Sequence, residues 1–229
     1  MTRRMIFPLI FGIAGIAVLL MLGNWQTRRM VWKNNIIAEI DREIVAPTVP
    51  LPDQITPDMK YMPVTATGTT GSRELHMLTS SQETGTGYRV ITPFTVQSAP
   101  GSPTASRTIM LDRGFLPASA KDAPRPQLEL DVEGNLYWPD DLNSSTPDPD
   151  LGRNIWFTRD VPTMAAALGT EPVLIIARQD AGQGITPWPV DSSTITNNHV
   201  AYAFTWYSLA FVWLVMTGYL LWRIRRRTI

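Results

Sequence analysis

Two long apolar stretches without a charged residue constrain this chain more than any other feature of its sequence. The first covers residues 5–22 and the second covers residues 201–222. Each is close to the roughly 20 residues with which an α-helix crosses the ~30 Å hydrocarbon core of a membrane. The polar segment between them is long enough for one domain. We therefore predict a hairpin of two transmembrane helices that carries a domain between them.

The distribution of charge predicts the orientation of this hairpin. All 20 acidic residues and 14 of the 20 basic residues lie between the apolar stretches, which gives that segment a net charge of −6. The other basic residues belong to the two tails: Arg3, Arg4, Arg223, Arg225, Arg226 and Arg227. Because basic flanks stay on the cytoplasmic side, we expect both termini in the cytoplasm and the central domain outside. Arg28, Arg29 and Lys33 oppose this orientation, but the tail arginines outnumber them.

The residues around the first stretch indicate an uncleaved signal anchor. The sequence LGNWQTRRM has no small-residue cleavage site, and no Arg- and Ser-rich transit peptide precedes the stretch. We therefore expect a multi-pass protein of a bacterial plasma (inner) membrane with a periplasmic domain. The predicted segments are a cytoplasmic tail (1–4), a transmembrane helix (5–23), a helical juxtamembrane extension (24–45), an extracytoplasmic domain (46–197), a second transmembrane helix (198–222) and a basic cytoplasmic tail (223–229).

Helical spacing of apolar residues continues beyond the first stretch. It includes Trp25, Trp32, Ile36, Ile40 and Ile44. This periodicity predicts that the helix leaves the membrane and runs on toward Glu43, with Trp25 and Trp32 in the interfacial zone. Three prolines between residues 46 and 52 end it.

The central segment reads mainly as β-structure. Candidate strands cover residues 63–69, 74–79, 88–96, 108–112, 128–136 and 173–178. Turn-forming clusters such as ETGTG and APGSPTAS separate them, and residues 139–152 read as a flexible acidic loop. One short helix is expected between an Asp160 cap and a Gly169 stop. The fold class is therefore a membrane α-hairpin carrying a β-rich α+β extracytoplasmic domain, with an antiparallel sheet curled toward a barrel.

The sequence contains few features that would indicate an enzyme. It has no phosphate-binding glycine loop, no nucleophile elbow and no metalloprotease or covalent-haem motif. Cysteine is absent, which excludes disulfides, thiolate chemistry and copper delivery by paired cysteines. Asp112 and Arg113 are interpreted as a local pair pinning a turn at a strand end rather than as a catalytic acid. Asn154, Trp156 and Asp160, in NIWFTRD, are expected to cap and pack.

The chain has only two histidines. His76 lies in a predicted strand, where a solvated or hydrogen-bonded histidine is expected and a ligand is the alternative. His199 falls in the first turn of the second apolar helix and shares a face with Tyr202, Ala203, Trp206 and Ala210. Such a face can receive a flat apolar ring system, and a neutral imidazole is an ordinary axial ligand of haem iron. The alternative is an interfacial histidine that caps the helix and reaches water.

Four segments carry a family resemblance. They are GNWQTRRMVWK (23–33), LDRGFLP (111–117), NIWFTRD (154–160) and NNHVAYAFTWYSLA (197–210). Together they resemble the surfeit-locus-protein-one (Surf/Shy) family, whose members are assembly factors for haem–copper cytochrome c oxidase. The resemblance extends over nearly the whole chain, except for the acidic loop at 139–152.

The resemblance implies a cofactor and partners. It implies that haem a is bound transiently, with His199 as the iron ligand, and that the partners are the large oxidase subunit and haem A synthase. The expected site residues are His199, Tyr202, Ala203, Trp206, Arg28, Arg29 and Trp25. The arginines are hypothesised to pair with a haem propionate. No enzymatic activity and no nucleic-acid partner are expected; lipid surrounds the helices.

Two alternatives remain open at this point. The protein is either a haem handler or a scaffold, or stable accessory subunit, that binds no haem. A second axial ligand is not assigned between His76 and a methionine.

Overall fold

The computed structural model describes residues 3–81, 85–97, 106–139, 141–193 and 195–228. Some predicted features therefore lie outside the described residues: Met1, Thr2 and Ile229 of the tails, 83–84 of the ETGTG turn, most of the 99–106 loop and Asp140 of the acidic loop. The chain forms two units, one of Met1–Glu39 with Ser192–Ile229 and the other of Ile40–Asp191. We call them the helical unit and the β unit.

The helical unit consists of two long helices. Helix α1 spans Arg3–Ile44, with its last residues in the β unit, and helix α3 spans His199–Thr228. α1 continues without a break through the segment that the sequence predicts as a juxtamembrane extension. In the most apolar windows of α1 and α3 only 6% and 11% of the residues are buried. Because a core helix of a soluble protein is mostly covered, these helices are of the kind that could cross a membrane, by length and composition.

Small residues of α1 let α3 approach closely. The contacts pair Gly12 with Thr217, Gly15 with Trp213 and Gly23 with Tyr207. A Cβ atom at Gly23 would lie 2.7 Å from the Tyr207 ring, so a larger residue there would require that ring to move. Since the numbers rise along one helix as they fall along the other, the helices run antiparallel. Packing through small residues is typical of helices that associate in lipid.

The β unit contains eight strands and one helix. They are β1 Val49–Pro50, β2 Pro63–Thr70, β3 Leu75–Ser81, β4 Gly85–Val96, β5 Arg107–Pro117, β6 Glu129–Leu136, β7 Ile155–Trp156, α2 Val161–Leu168 and β8 Leu174–Ala177. Five strands close into a barrel in the order β2-β6-β8-β5-β4, and β4 pairs back onto β2. Every strand predicted from the sequence overlaps an observed one. The two-residue strands β1 and β7 were not predicted.

The sheet is mixed: most strand pairs among the described residues are antiparallel, as predicted, but some are parallel, so the prediction is confirmed only in part. Strand β5 pairs with β8 in parallel, and β1–β2 and β3–β7 are also parallel pairs. A parallel pair requires a crossover that returns the chain to the same end of the sheet. The chain between β5 and β8 provides one, because it contains β6, β7 and α2.

The core of the β unit has two main layers and a third, smaller cluster around Val90 and Leu116. The inner layer receives at least one side chain from each of the five barrel strands. It includes Val64, Phe94, Ile109, Leu111, Val132, Leu136 and Ile175. Alternation along β8 sends Leu174 and Ile176 to a second cluster, which contains the buried face of α2. Asp160 caps α2 by accepting from the Thr163 amide, and Gly169 ends it at φ 72°. These two caps confirm the predicted helix.

Candidate functional site

His199 is the first residue of α3 and is half-buried within the helical unit. Its Nδ1 lies 2.7 Å from Oε1 of Gln26, a side chain of α1 that is only 8% exposed. The other ring nitrogen, Nε2, makes no hydrogen bond to any residue that the structure describes. One nitrogen of this imidazole is thus engaged by protein while the other retains its bonding capacity.

Further polar contacts hold the two helices on either side of this pair. Asn197 Nδ2 donates to Asn34 Oδ1 at 2.6 Å. In the direction of the apolar stretch, Tyr207 donates its hydroxyl to Asn24 Oδ1 at 2.8 Å. A contact before and a contact after His199 fix the rotation of α3 about its axis, so the imidazole is held toward α1.

The structure divides the predicted haem face of α3. Ala203 and Ala210 are 8% and 4% exposed, whereas Tyr202 is 56% exposed. On a helix, positions i+3 and i+4 lie on opposite sides of position i. α3 is rotated so that the i+4 side of His199 meets α1, which leaves Tyr202 on the outer flank. The predicted open face is therefore partly a helix–helix contact.

Trp206 lies two turns beyond His199 and is half-buried. Its indole Nε1 is buried, and it has no hydrogen-bond partner among the described residues. An unsatisfied N–H in apolar surroundings costs free energy until an acceptor reaches it. Because the atom is buried, a ligand oxygen could accept from it only if the indole turned outward.

The predicted residues of α1 lie on its surface. Trp25 is 56% exposed, and Arg28 and Arg29 are also exposed. The Arg29 guanidinium lies 3.9 Å from the centre of the Trp32 ring. Stacking of this kind leaves the N–H edge of the guanidinium free to bind a carboxylate. No contact joins these three predicted residues to His199 within the part of the chain that the structure describes.

The donor set of the helical unit fits a haem better than a bare metal ion. The described residues contain no group of three or more His, Asp or Glu side chains that could hold an ion. Haem iron needs only axial ligands from the protein, because the porphyrin supplies the other four. A neutral imidazole with a free nitrogen beside apolar helix surface satisfies that need.

His76 of the β unit has a different environment. It is 6% exposed, and its Nε2 lies 2.8 Å from Glu74 Oε1, while Asn154 Nδ2 lies 3.5 Å from its Nδ1. Arg125 Nε also donates to Glu74 at 2.9 Å. Burial raises the pKa of the Glu74 carboxyl, but hydrogen bonds from His76 and Arg125 outweigh burial and hold that pKa at about 2. Both nitrogens of His76 face protein partners, which confirms a hydrogen-bonded strand histidine.

The predicted pair of Asp112 with Arg113 is wrong. Asp112 is fully buried, and its Oδ2 accepts from Arg89 Nε at 2.7 Å. Arg113 reaches instead to Gln183 Oε1 at 2.9 Å and to the Ala181 carbonyl oxygen at 2.6 Å. Burial lowers the pKa of the Arg113 guanidinium.

The strand β5 does not end at this motif as predicted. It continues to Pro117, with Gly114 at φ 114°. The Gly114 amide donates to Asp112 Oδ1 at 3.1 Å, which holds the unusual backbone in place. The motif is therefore an internal irregularity of the strand with a structural role.

The segment NIWFTRD packs and caps as predicted. Asn154 donates to the Glu74 carbonyl oxygen at 2.8 Å, Trp156 is 3% exposed, and Asp160 caps α2.

Gln26 is the residue of the site that sequence reasoning missed. It was singled out only as part of a family motif, although Gly23 and Gln26 lie one turn apart on the same buried face. A buried glutamine at the end of an apolar stretch needs a partner. Its place on the face of α1 that carries Gly23 is the feature from which its contact with α3 could have been predicted.

Comparison with known proteins places these motifs in a family. The sequence model of the SURF1 family matches residues 13–211, an interval that contains all four motif segments. Surfeit locus protein 1 of Xenopus tropicalis is 30% identical over 215 residues, covering 82% of this chain and 67% of that protein. The protein of the same name from Homo sapiens is 30% identical over 213 residues, covering 82% and 69%. The one from Takifugu rubripes is 30% identical over 217 residues, covering 82% and 86%. These matches confirm the resemblance predicted from the motifs: the chain belongs to the SURF1 family.

Proposed function

We propose that this protein is an assembly factor for haem–copper cytochrome c oxidase, which holds haem a through His199 and assists its insertion into the large oxidase subunit. Haem A synthase is the proposed donor. When bound, haem a would supply an iron that an imidazole nitrogen can ligate, and His199 is the residue that would hold it. The protein's own contribution is to bind, orient and release this group, so no catalytic residue is assigned.

A single observation carries the proposal. His199 is a half-buried histidine at the start of an apolar helix, with Nδ1 held by Gln26 and Nε2 without a hydrogen bond among the described residues. A histidine serving only as an interfacial cap would be expected to direct its ring to water or to backbone amides. The observed ring is instead held by a side chain of the other helix.

The remaining proposed site residues supply shape and polarity. Tyr202 and Trp25 offer exposed aromatic surface, Ala203 offers a small residue beside the histidine, and Trp206 offers an unpaired N–H. Arg28 and Arg29 are proposed to pair with haem propionates, since guanidinium matches carboxylate geometry.

We place both helices across a bacterial plasma membrane with the β unit in the periplasm. The arginine-rich tails support cytoplasmic termini. In this orientation His199 lies at the outer interface, because it begins the second apolar helix.

The test is an absorption spectrum with pyridine haemochrome analysis of the purified protein co-produced with haem A synthesis. The parent should carry haem a, and His199→Ala should lose most of it while remaining folded in detergent. His76→Gln is the matched control, since His76 is the only other histidine and should leave haem content unchanged. A colourless parent, or equal haem in parent and His199→Ala, would contradict the proposal.

The arginines have a test of their own. Replacement of both Arg28 and Arg29 by Gln should loosen haem retention without abolishing ligation, because the iron ligand remains. Arg225→Gln with Arg226→Gln is the matched control, because it removes two arginines from the far end of α3. Unchanged retention in the first double variant would remove Arg28 and Arg29 from the site.

A second function, a scaffold that binds no haem, is favoured by one feature of the β unit. Leu78, Leu151 and Phe157 are 40%, 74% and 39% exposed. Leu78 and Phe157 follow the paired residues Met77 and Trp156 at the edge formed by β3 and β7. Exposed apolar residues such as Leu78 and Phe157 at a sheet edge are typical of contact with another protein.

The two proposed functions differ in which variants should change co-purification and oxidase haem content. Under the scaffold function, Leu151→Ser with Phe157→Ser should weaken co-purification with the large oxidase subunit, and His199→Ala should not lower oxidase haem content. If His199→Ala depletes oxidase haem while co-purification persists, the haem function is supported and the scaffold function is not sufficient.

A further inference from the structure

We infer that Gln26 is a positioning residue for His199: it holds the imidazole in the tautomer with the proton on Nδ1, which leaves Nε2 unprotonated to act as the ligand. This inference deepens the proposed function and rests on it for the identity of the ligand. The tautomer itself is a property of the protein alone.

The chemistry of the contact determines where the proton lies. The Gln26 atom that faces the ring is Oε1, at 2.7 Å from Nδ1. An amide oxygen only accepts hydrogen bonds, so Nδ1 must donate. In a neutral imidazole one nitrogen donates and the other carries a lone pair. Donation from Nδ1 therefore leaves the lone pair on Nε2.

The surroundings hold Gln26 in this role. Its side chain is 8% exposed, so water does not compete freely for Oε1. Gly23, one turn away, lies against Tyr207, and Asn34 accepts from Asn197 on the other side. These contacts fix both helices around the pair, so the amide is preorganised and does not have to be ordered when a ligand arrives.

The second histidine of the chain provides an internal contrast. Glu74 Oε1 is an acceptor for Nε2 of His76, while the Asn154 amide nitrogen faces Nδ1. The two histidines are thus expected in opposite tautomers. Only His199 leaves Nε2 without a hydrogen bond among the described residues.

The inference has a functional consequence. Histidines that bind metals commonly donate their other N–H to a fixed acceptor, which sets the ring orientation and raises the basicity of the ligand nitrogen. Loss of such a partner typically lowers metal affinity by about 10- to 100-fold. Free neutral histidine in water favours the proton on Nε2, so without Gln26 the ligand nitrogen would first have to lose it.

The direct test is nitrogen NMR of ¹⁵N-histidine-labelled protein in lipid nanodiscs, without haem and at mildly alkaline pH. Only two imidazoles contribute, and His199→Ala assigns them. We expect a protonated Nδ1 and an unprotonated Nε2 for His199, and the reverse for His76. In Gln26→Leu the His199 signal should move toward the Nε2-protonated form. A parent His199 with the proton on Nε2 would overturn the inference whether or not the protein binds haem.

The second test measures haem. Gln26→Leu should retain haem about 10- to 100-fold less tightly than the parent. Gln26→Glu, which keeps an acceptor at the same position, should retain it and shift the midpoint potential to lower values, because a carboxylate makes the imidazole a stronger donor. Tyr207→Phe is the comparison for bracing alone: it removes an interhelical hydrogen bond of 2.8 Å that helps to fix α3 but does not involve His199.

The outcomes separate this inference from the function on which it rests. If the parent binds haem through His199 but Gln26→Leu and Tyr207→Phe lower affinity equally, Gln26 is a brace and the inference is wrong. If Gln26→Glu leaves the potential unchanged, the inference is also wrong. If the parent binds no haem, the proposed function fails, and the NMR result still decides the tautomer.

Discussion

The helical unit and the β unit bury polar side chains in different ways. In the helical unit the central contact joins two side chains without a fixed charge, Gln26 and His199 at 2.7 Å. In the β unit the corresponding contact joins two charges, Arg89 and Asp112 at 2.7 Å, with side chains that are 7% and 0% exposed. A buried ion pair is tolerated only where hydrogen bonds compensate the loss of water.

This difference shows how one residue type serves two purposes. His76, among charged neighbours, has both nitrogens committed to protein and stabilises a strand. His199, beside exposed apolar surface, has Nδ1 held by one neutral partner and Nε2 without a hydrogen bond among the described residues, and Nε2 is the nitrogen that we propose as the haem ligand. We therefore expect the β unit to depend on its polar network for stability and the helical unit to depend on its polar contacts for orientation. The following predictions test that comparison, from the largest expected effect to the smallest.

Gly114→Ala should be the most destabilising of these changes. The residue has φ 114°, and an added Cβ would collide with the Thr186 carbonyl oxygen of the backbone. Because backbone cannot move aside as a side chain can, we expect a loss of more than about 4 kcal/mol in unfolding free energy. The measurement is chemical denaturation of the detergent-solubilised protein.

Gly169→Ala and Gly23→Ala are the controls for that change. Gly169 also has positive φ, at 72°, but nothing lies within 4 Å of its added Cβ, so only about 1–2 kcal/mol of strain is expected. Gly23→Ala in α1 meets the movable Tyr207 ring. If Gly23→Ala costs as much as Gly114→Ala, the helical unit is packed as rigidly as the β unit and the comparison fails.

Asp112→Asn should destabilise the β unit by about 3 kcal/mol or more, because it leaves the buried Arg89 without a counter-charge. The same denaturation experiment measures it. Arg89→Met combined with Asp112→Asn should recover part of the loss, since no uncompensated charge then remains. If the double variant loses more unfolding free energy than the two single variants lose together, the pair stabilises the fold through more than charge compensation.

The stability of the β unit should fall at acid pH because of Glu74. Its folded-state pKa of about 2 lies below the ordinary value of 4.5, so the carboxylate stabilises the fold above pH 4.5. That contribution, at most about 3 kcal/mol, is lost as the pH falls from 4.5 toward 2. Glu74→Gln should remove this part of the pH dependence of the denaturation midpoint. An identical acid profile in the variant would assign the effect to other carboxylates.

Tyr207→Phe should have the smallest effect on stability. It removes one hydrogen bond between neutral side chains of the helical unit, and interhelical bonds of this kind average about 0.6 kcal/mol. Steric-trap or denaturant unfolding in micelles measures it. A loss as large as that of Asp112→Asn would mean that the neutral contacts also determine stability, not orientation alone.

The local elements of this protein could be predicted because their signals are local. Each of these signals depends on residues that are close together in the sequence: the caps at Asp160 and Gly169, the apolar periodicity of α1 and the alternation along the long strands. The strands β1 and β7, at two residues each, carry too little pattern to be recognised. The family followed from four short motifs, which are also local.

The candidate site was predicted only in part for a related reason. His199 was identifiable from its residue type and from its place at the start of an apolar helix. Its partner Gln26 lies 173 residues away along the chain. Which face of α3 meets α1 depends on the rotation of both helices, and this rotation decided that Ala203 is covered and Tyr202 is not.

By itself, the sequence determined the two apolar helices, most of the strands, the caps of α2 and His199 as the candidate ligand. The tertiary structure alone decided the parallel pairing of β5 with β8, which strands close the predicted barrel and the partners of the buried polar groups. The pairing of Asp112 with Arg89 rather than with its neighbour Arg113 shows the reason. Successive side chains of a strand point to opposite faces of the sheet, so residues adjacent in sequence are kept apart and long-range folding selects the partner.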